Sequence, residues 1–252
     1  MHPGSHAKAT PDKPALIMSG SGSVVTYAEL DLRSRQIAQL LREQGLRPGD
    51  VIAILLENHP RYLETAWGAI RSGLYLTTVN RHLSAAEASY IVADSGARAL
   101  FTSKALHSIA AEIPNRAPDC DCFVMLDYTG NAAPEGFEAY ADVISRHERA
   151  EIEDGPIGDF LLYSSGTTGK PKGIKRPLSN RPASPGSICI YEVQAEAVSR
   201  VLARKTDVHR LIRITVHLPL RCGMWKMHGL AQVLIKRTIQ RLASVMYGQM
   251  RG

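Results

Sequence analysis

The stretch richest in chemistry is Phe160-Leu-Leu-Tyr-Ser-Ser-Gly-Thr-Thr-Gly-Lys-Pro-Lys-Gly173, a short apolar run that opens into glycines, hydroxyls and lysines. Gly166 and Gly169 let the backbone turn sharply and bring N–H groups close to a ligand. Ser164, Ser165, Thr167 and Thr168 add hydroxyl donors, and Lys170 and Lys172 add positive charge. Such a set suits phosphate oxygens. A plain surface turn draws on the same residue types, so composition alone leaves both readings open. The P-loop of nucleoside triphosphatases is excluded by spacing, because it needs four residues between its glycines and a Ser or Thr after its lysine. Here two residues separate the glycines and Pro171 follows Lys170. Proline lacks a backbone donor and drives the preceding residue from the helical region. The loop is therefore expected to join two extended segments.

The elements that must position this loop are legible upstream. Pro14–Met18 and Val24–Thr26 flank Ser19-Gly-Ser-Gly-Ser23 and read as a hairpin. Thr26-Tyr-Ala-Glu29 is a capping box that starts a helix, with Leu30, Ile37, Leu40 and Leu41 on one face and Gly45 at its end. Asp50–Leu56 is a continuous apolar run, as expected of a strand buried on both faces of a parallel sheet. Pro60–Ser72 has a helical pattern whose apolar side is expected to carry Tyr62, Leu63, Ala66, Trp67 and Ile70. Leu74–Val79 is the next strand. Ser84-Ala-Ala-Glu87 is a second capping box, opening a helix through Ala93, and Ala99–Thr102 follows as a strand. Residues 103–159 are less regular, with a helix expected over Ala105–Ile113, a strand over Cys122–Leu126 and a loop from Tyr128 to Gly136. The alternation predicts an α/β fold with a mainly parallel sheet flanked by helices. Ligands in such sheets sit beyond the carboxyl ends of strands, which suits a loop that follows the strand candidate ending near Ser164. Glu148, Glu151, Glu153, Asp154 and Asp159 precede it as an acidic, solvated link.

The totals allow one large domain or two small ones. The longest purely apolar run, Val51–Leu56, is far too short to span a bilayer. Residues 1–10 hold no apolar segment resembling a secretory signal, so a cytoplasmic location is expected. Cys120, Cys122, Cys189 and Cys222 form no C-x-x-C pair and are read as reduced thiols. The histidines, His209 and His217 included, show no ligand spacing, and no metal is assigned to protein ligands. The net charge of +6 is unevenly spread: 16 Lys and Arg stand against 21 Asp and Glu through Ile174, then 14 against 3. Residues 10–178 thus read as the α/β part and 179–252 as a linker with an atypical basic tail. The tail holds candidate helices over Tyr191–Lys205 and Leu230–Met246 and a candidate strand over Leu211–Val216. A shifted reading frame or a truncated gene is the expected origin of such an abrupt change of composition. A basic tail on a non-catalytic module that binds nucleic acid or anionic membrane is the alternative class, although Tyr191, Trp225 and Tyr247 offer little for base stacking.

The order Tyr-Ser-Ser-Gly-Thr-Thr-Gly-Lys-Pro-Lys-Gly closely resembles the phosphate-binding signature of the adenylate-forming superfamily, which includes acyl-CoA synthetases, luciferases and peptide-synthetase adenylation domains. Thr10–Ala15, Thr26–Leu30, Leu46–Leu55, Val79–Glu87, Tyr90-Ile91 and Asp94-Ser-Gly96 are similar to that family's amino-terminal landmarks, in family order, from about Thr10 to about Lys175. The resemblance implies activation of a carboxylic acid, fatty or related, by Mg-ATP to an acyl-adenylate, followed by transfer to the thiol of coenzyme A. It implies phosphate contacts from the backbone around Gly166 and Gly169 and from Ser164, Ser165, Thr167 and Thr168. Lys172 would offset charge as pyrophosphate departs, whereas Lys170 holds a variable position. Past Arg176 the motifs give out: the family's adenine and magnesium motif, ribose aspartate and catalytic lysine are not found. No residue here is assigned a catalytic role, and the chain alone is expected not to complete the reaction. The sequence leaves the acyl specificity and the oligomeric state open.

Overall fold

Near the amino terminus lies a short helix, α1 (Pro3–Ala9), which the sequence reading did not anticipate. Proline occupies its first turn, where a missing N–H costs nothing, and the Gly4 N–H donates to His2 Nδ1 at 3.1 Å. The computed structural model describes residues 2–128, 132–147, 155–164 and 170–178. The chain divides into the units Met1–Ile190 and Tyr191–Gly252, and every described residue belongs to the first. The three candidate elements of the basic tail lie outside the described residues.

Strands β1 (Pro14–Ile17) and β2 (Val24–Thr26) pair antiparallel as expected. Helix α2 (Tyr27–Glu43) begins at the predicted capping box: Glu29 N–H donates to Thr26 Oγ1 at 3.2 Å, and Thr26 N–H donates to Glu29 Oε2 at 2.8 Å. Gly45, at φ +75°, ends it in the left-handed region. Strand β3 (Val51–Leu55) is buried at every position. Then come α3 (Tyr62–Arg71), β4 (Tyr75–Thr78), α4 (Ala85–Asp94) and β5 (Ala97–Ser103). The Ser84–Glu87 capping box is also formed, with the Glu87 N–H donating to Ser84 Oγ at 3.3 Å. Strand β6 occupies Cys122–Leu126 as expected. The helix expected over Ala105–Ile113 is instead a 3₁₀ turn, Lys104–Leu106, and a short α5 (His107–Ala110). Leu106, at φ −108° and ψ 14°, leaves helical geometry and separates the two pieces. Two elements in the irregular region escaped the sequence reading: β7 (Glu138–Ala139) and α6 (Tyr140–Ser145).

Six strands form one wholly parallel sheet in the order β7, β6, β5, β3, β4, β8, where β8 is Asp159–Phe160. Strand β3 is central because both its faces are apolar. Ile52 and Ile54 pack with Ile37 and Leu41 of α2 and Ala69 of α3 on one side; Val51, Ala53 and Leu55 pack with Ile91 and Val92 of α4 on the other. The result is helix, sheet, helix.

Helix α3 buries Ala66 and Ile70 of the apolar side expected of it, but not the other three residues. Its buried residues include Glu64, Thr65, Gly68 and Ala69, whereas Tyr62, Leu63 and Trp67 are only half-buried. Close approach to α2 decides this: a Cβ on Gly68 would lie 2.3 Å from Ile37 Cγ2. Polar bonds reinforce it, since fully buried Glu64 accepts from Tyr140 Oη at 2.8 Å and from Arg61 Nη1 at 2.8 Å. A second buried network joins the two helices, with Arg71 Nη1 donating to Asp31 Oδ1 at 3.1 Å and to Ser34 Oγ at 2.7 Å. Cys120 and Cys122 are free thiols, pushed up to about 12 by burial, and Cys189 and Cys222 lie outside the described residues.

Candidate functional site

The chain reaches the glycine and hydroxyl loop through a change of sheet. Strand β8 runs beside β4, with Asp159 opposite Tyr75 and Phe160 opposite Leu76, and Leu161 N–H donates to Leu76 O at 3.0 Å. The chain then leaves the parallel sheet. β9 (Leu162–Ser164) pairs antiparallel with β10 (Lys172–Ile174), a separate two-stranded ribbon. The strand candidate ending near Ser164 is therefore two strands, β8 and β9. The loop springs from a hairpin and not directly from a strand of the parallel sheet, because the backbone groups of 162–164 take partners in β10 in place of β4. The expectation that extended segments flank the loop agrees with this geometry.

Ser164 and Lys172 are register partners and close the hairpin on either side of the connection. Side chains alternate along a strand and partners share a face. Leu162, Ser164, Lys172 and Ile174 therefore share one face, and all four are exposed. The opposite face carries Tyr163, whose ring lies across Gly173. A Cβ added at Gly173 would come 3.1 Å from Tyr163 Cζ, which gives the last glycine of the signature a packing reason. Ser165, Gly166, Thr167, Thr168 and Gly169 lie outside the described residues. The structure thus brings together Ser164 and Lys172 of the predicted set.

The hairpin is tied down at two places. On α4, Asp94 Oδ2 accepts from Tyr163 Oη at 2.6 Å, and Tyr90 Oη lies 3.3 Å from both Asp94 Oδ1 and Pro171 O. Lys170 Nζ stands 5.4 Å from the centre of the Tyr90 ring, within cation–π range. Burial, then the hydrogen bond to Asp94 and its charge, raises the Tyr163 phenol well above its ordinary range, so it remains a donor at neutral pH. At the hairpin's root, Tyr75 Oη donates to Arg176 O, Lys175 Nζ stands 4.5 Å from the Tyr75 ring centre, and Arg176 Nη2 meets Asp159 Oδ1 at 3.0 Å. Asp159 is thus an ion-paired residue of the sheet edge and not part of a solvated acidic link; Glu148, Glu151, Glu153 and Asp154 lie outside the described residues.

Sequence reasoning did not give a role to Tyr90, Asp94, Tyr75 or Asp159. The available signal was the spacing of Tyr90 and Asp94, four apart on a helix and hence on one face. Elsewhere, Glu29, Arg33 and Arg61 line a depression of about 290 Å³ beside β2. No helix among the described residues is long and apolar enough to cross a membrane.

Comparison with known proteins agrees with the fold and with the family resemblance. A crystal structure of the anthranilate CoA ligase AuaEII in complex with anthranoyl-AMP superposes with a TM-score of 0.61 at 24% identity, covering 68% of this chain and 33% of that one, a likeness of fold. The chain is 34% identical over 172 residues to the fatty acid–[acyl-carrier-protein] ligase ScoC of Streptomyces coeruleorubidus, covering 67% of this chain and 31% of that protein. It is 35% identical over 157 residues to a feruloyl-CoA synthase of Amycolatopsis sp, covering 60% and 28%. Human long-chain fatty acid transport protein 1 is 30% identical over 171 residues, covering 64% and 26%. The chain therefore spans less than a third of the length of these relatives. The family model for AMP-binding enzymes matches residues 5–208, beyond Arg176, where the recognisable motifs give out. On that match, which takes in most of the sequence, the chain belongs to the AMP-binding enzyme family.

Proposed function

We propose that this chain supplies the phosphate-gripping amino-terminal part of an AMP-forming acid–thiol ligase. In that reaction a carboxylate oxygen attacks the α-phosphorus of Mg-ATP and the bond to the β-phosphate oxygen breaks, giving acyl-adenylate and pyrophosphate. The thiol then attacks the acyl carbon and AMP leaves. Magnesium arrives with ATP as part of the substrate. The observation that carries this reading is the register pairing of Ser164 with Lys172, which holds an ammonium group and a hydroxyl at the two ends of a loop bearing Ser165, Gly166, Thr167, Thr168 and Gly169. Backbone N–H groups and hydroxyls of that loop bind phosphate oxygens, and Lys172 stabilises the charge that grows on the departing pyrophosphate.

The names of the relatives divide over the thiol, an acyl carrier protein for ScoC and coenzyme A for feruloyl-CoA synthase. We assign coenzyme A here and a fatty or related carboxylic acid as the substrate. Residues 10–178 are the α/β part that carries the grip, and 179–252 form a distinct basic segment. The 252 residues alone are a phosphate-binding part and not a complete catalyst, because the adenine, ribose and catalytic-lysine motifs of the family are not recognisable in them and positioning supplies most of such a transfer.

Two assays test this. A grip on the leaving phosphates binds Mg-ATP at least tenfold more tightly than AMP; equal affinity for the two contradicts it. Robust acyl-CoA formation by the purified chain from ATP, coenzyme A and a fatty acid overturns the statement that it is incomplete.

A further inference from the structure

Both arms of the hairpin converge on two residues of α4. Asp94 takes the Tyr163 hydroxyl from β9, and Tyr90 reaches Pro171 O and the Lys170 ammonium at the entry to β10. We propose that Tyr90 and Asp94 are positioning residues for the phosphate loop: a seat on the last turns of α4 that fixes where Lys172 stands. The proposal rests on the phosphate reading above.

Three observations support it. First, Asp94 is the last residue of α4, where the partial negative charge of the helix end disfavours a carboxylate. The helix itself gains nothing from an acid at that place; the gain lies in the 2.6 Å bond to Tyr163. Second, the contacts reach across 69 and 81 residues of sequence and land on both arms of one hairpin. A contact that only stabilised α4 would have no need to address both. Third, Tyr163 occupies the hairpin's inner face, with its ring over Gly173, so anchoring its hydroxyl turns the outer face, with Ser164 and Lys172, away from α4. The root at Tyr75, Asp159 and Arg176 fixes one end of the ribbon, and the seat fixes it nearer the loop. A ligand site gains affinity when its groups are held before the ligand arrives.

The test uses the full 252-residue chain and two measurements: hydrogen exchange at the amides of 162–164, 170 and 172–174, with those of β3 as the internal reference, and Mg-ATP affinity by calorimetry. Asp94→Ala is expected to speed hairpin exchange about tenfold, leave β3 unchanged and weaken Mg-ATP about tenfold. Asp94→Asn keeps an acceptor oxygen and recovers most of both losses. Tyr163→Phe deletes the same hydrogen bond from the hairpin side, without altering α4, and must match Asp94→Ala. Unchanged hairpin exchange in both Asp94→Ala and Tyr163→Phe overturns the seat. Faster exchange with Mg-ATP affinity within twofold of the parent overturns the positioning role. A parent chain that binds no Mg-ATP overturns the phosphate reading and the positioning role with it, while the exchange data still decide whether the seat holds the hairpin.

Discussion

Gly158 is where the parallel sheet hands the chain to the phosphate hairpin, and it has no room for a side chain. Its N–H donates to Ile70 O at 2.7 Å, which presses the backbone against the turn between α3 and β4. A Cβ at this position would lie 2.1 Å from Leu74 O, 3.0 Å from Leu74 N and 3.1 Å from Ile70 Cα, all backbone atoms. No rotamer relieves such a clash, so either β8 lifts from β4 or the α3–β4 turn deforms. Overpacking of this kind costs about 1–3 kcal/mol, and the backbone identity of all three neighbours puts Gly158→Ala near the top of that range. Gly155 is the control: its Cβ would meet nothing closer than 3.5 Å, and Gly155→Ala should stay within about 1 kcal/mol of the parent. Urea unfolding followed by circular dichroism reads both. With an m value of about 2 kcal/mol/M, Gly158→Ala lowers the midpoint by about 1 M or more. Equal midpoints for the two variants would refute the claim that the backbone contact at Leu74 is rigid.

Other perturbations follow from the same contacts. Asp31→Ala removes the carboxylate that Arg71 and Arg35 both address beneath α2, and should cost about 3 kcal/mol in urea unfolding; a loss under about 1 kcal/mol contradicts a buried pair. Glu29 is held below the usual carboxylate range by the backbone N–H of Thr26, so its contribution is present above the unfolded value and is lost as pH falls through the folded one. The gap in urea midpoint between the parent and Glu29→Ala should therefore narrow between about pH 5 and pH 3, where a constant gap would contradict the assignment. Cys120 and Cys122, raised to about 12 by burial, should resist alkylation at pH 8 in the native chain when sites are mapped by mass spectrometry. Rapid labelling of either would show that the wall around β6 opens.

What the sequence made legible was local. The boxes at Thr26–Glu29 and Ser84–Glu87 satisfy backbone donors within four residues, and both are formed where expected. Val51–Leu55 is apolar at every position, and its burial on both faces follows from that alone. What escaped was set by distant partners. The buried face of α3 is chosen by the Gly68 approach to Ile37 and by the Glu64 bond to Tyr140, neither visible in the apolar pattern of Tyr62, Leu63 and Trp67. The apolar run 160–164 splits because Phe160 finds β4 while Leu162 finds Ile174. At the site, the loop's chemistry could be read from residue types, and its flanking strands from Pro171. The seat at Tyr90 and Asp94 could not, because its partners lie on another element.

The proposed grip on phosphate belongs to the hairpin carrying Ser164 and Lys172. The most direct measurement is calorimetric titration of Mg-ATP into the folded 252-residue chain beside a Lys172→Ala, Gly166→Val double variant. Loss of one charge-assisted contact removes about 2 kcal/mol, or roughly thirtyfold in affinity, before the glycine change is added. The expected result is saturable binding by the parent and none in the same concentration range by the variant. Equal binding by both would place the nucleotide elsewhere, and a folded parent that takes up no Mg-ATP at millimolar concentration would contradict the claim outright.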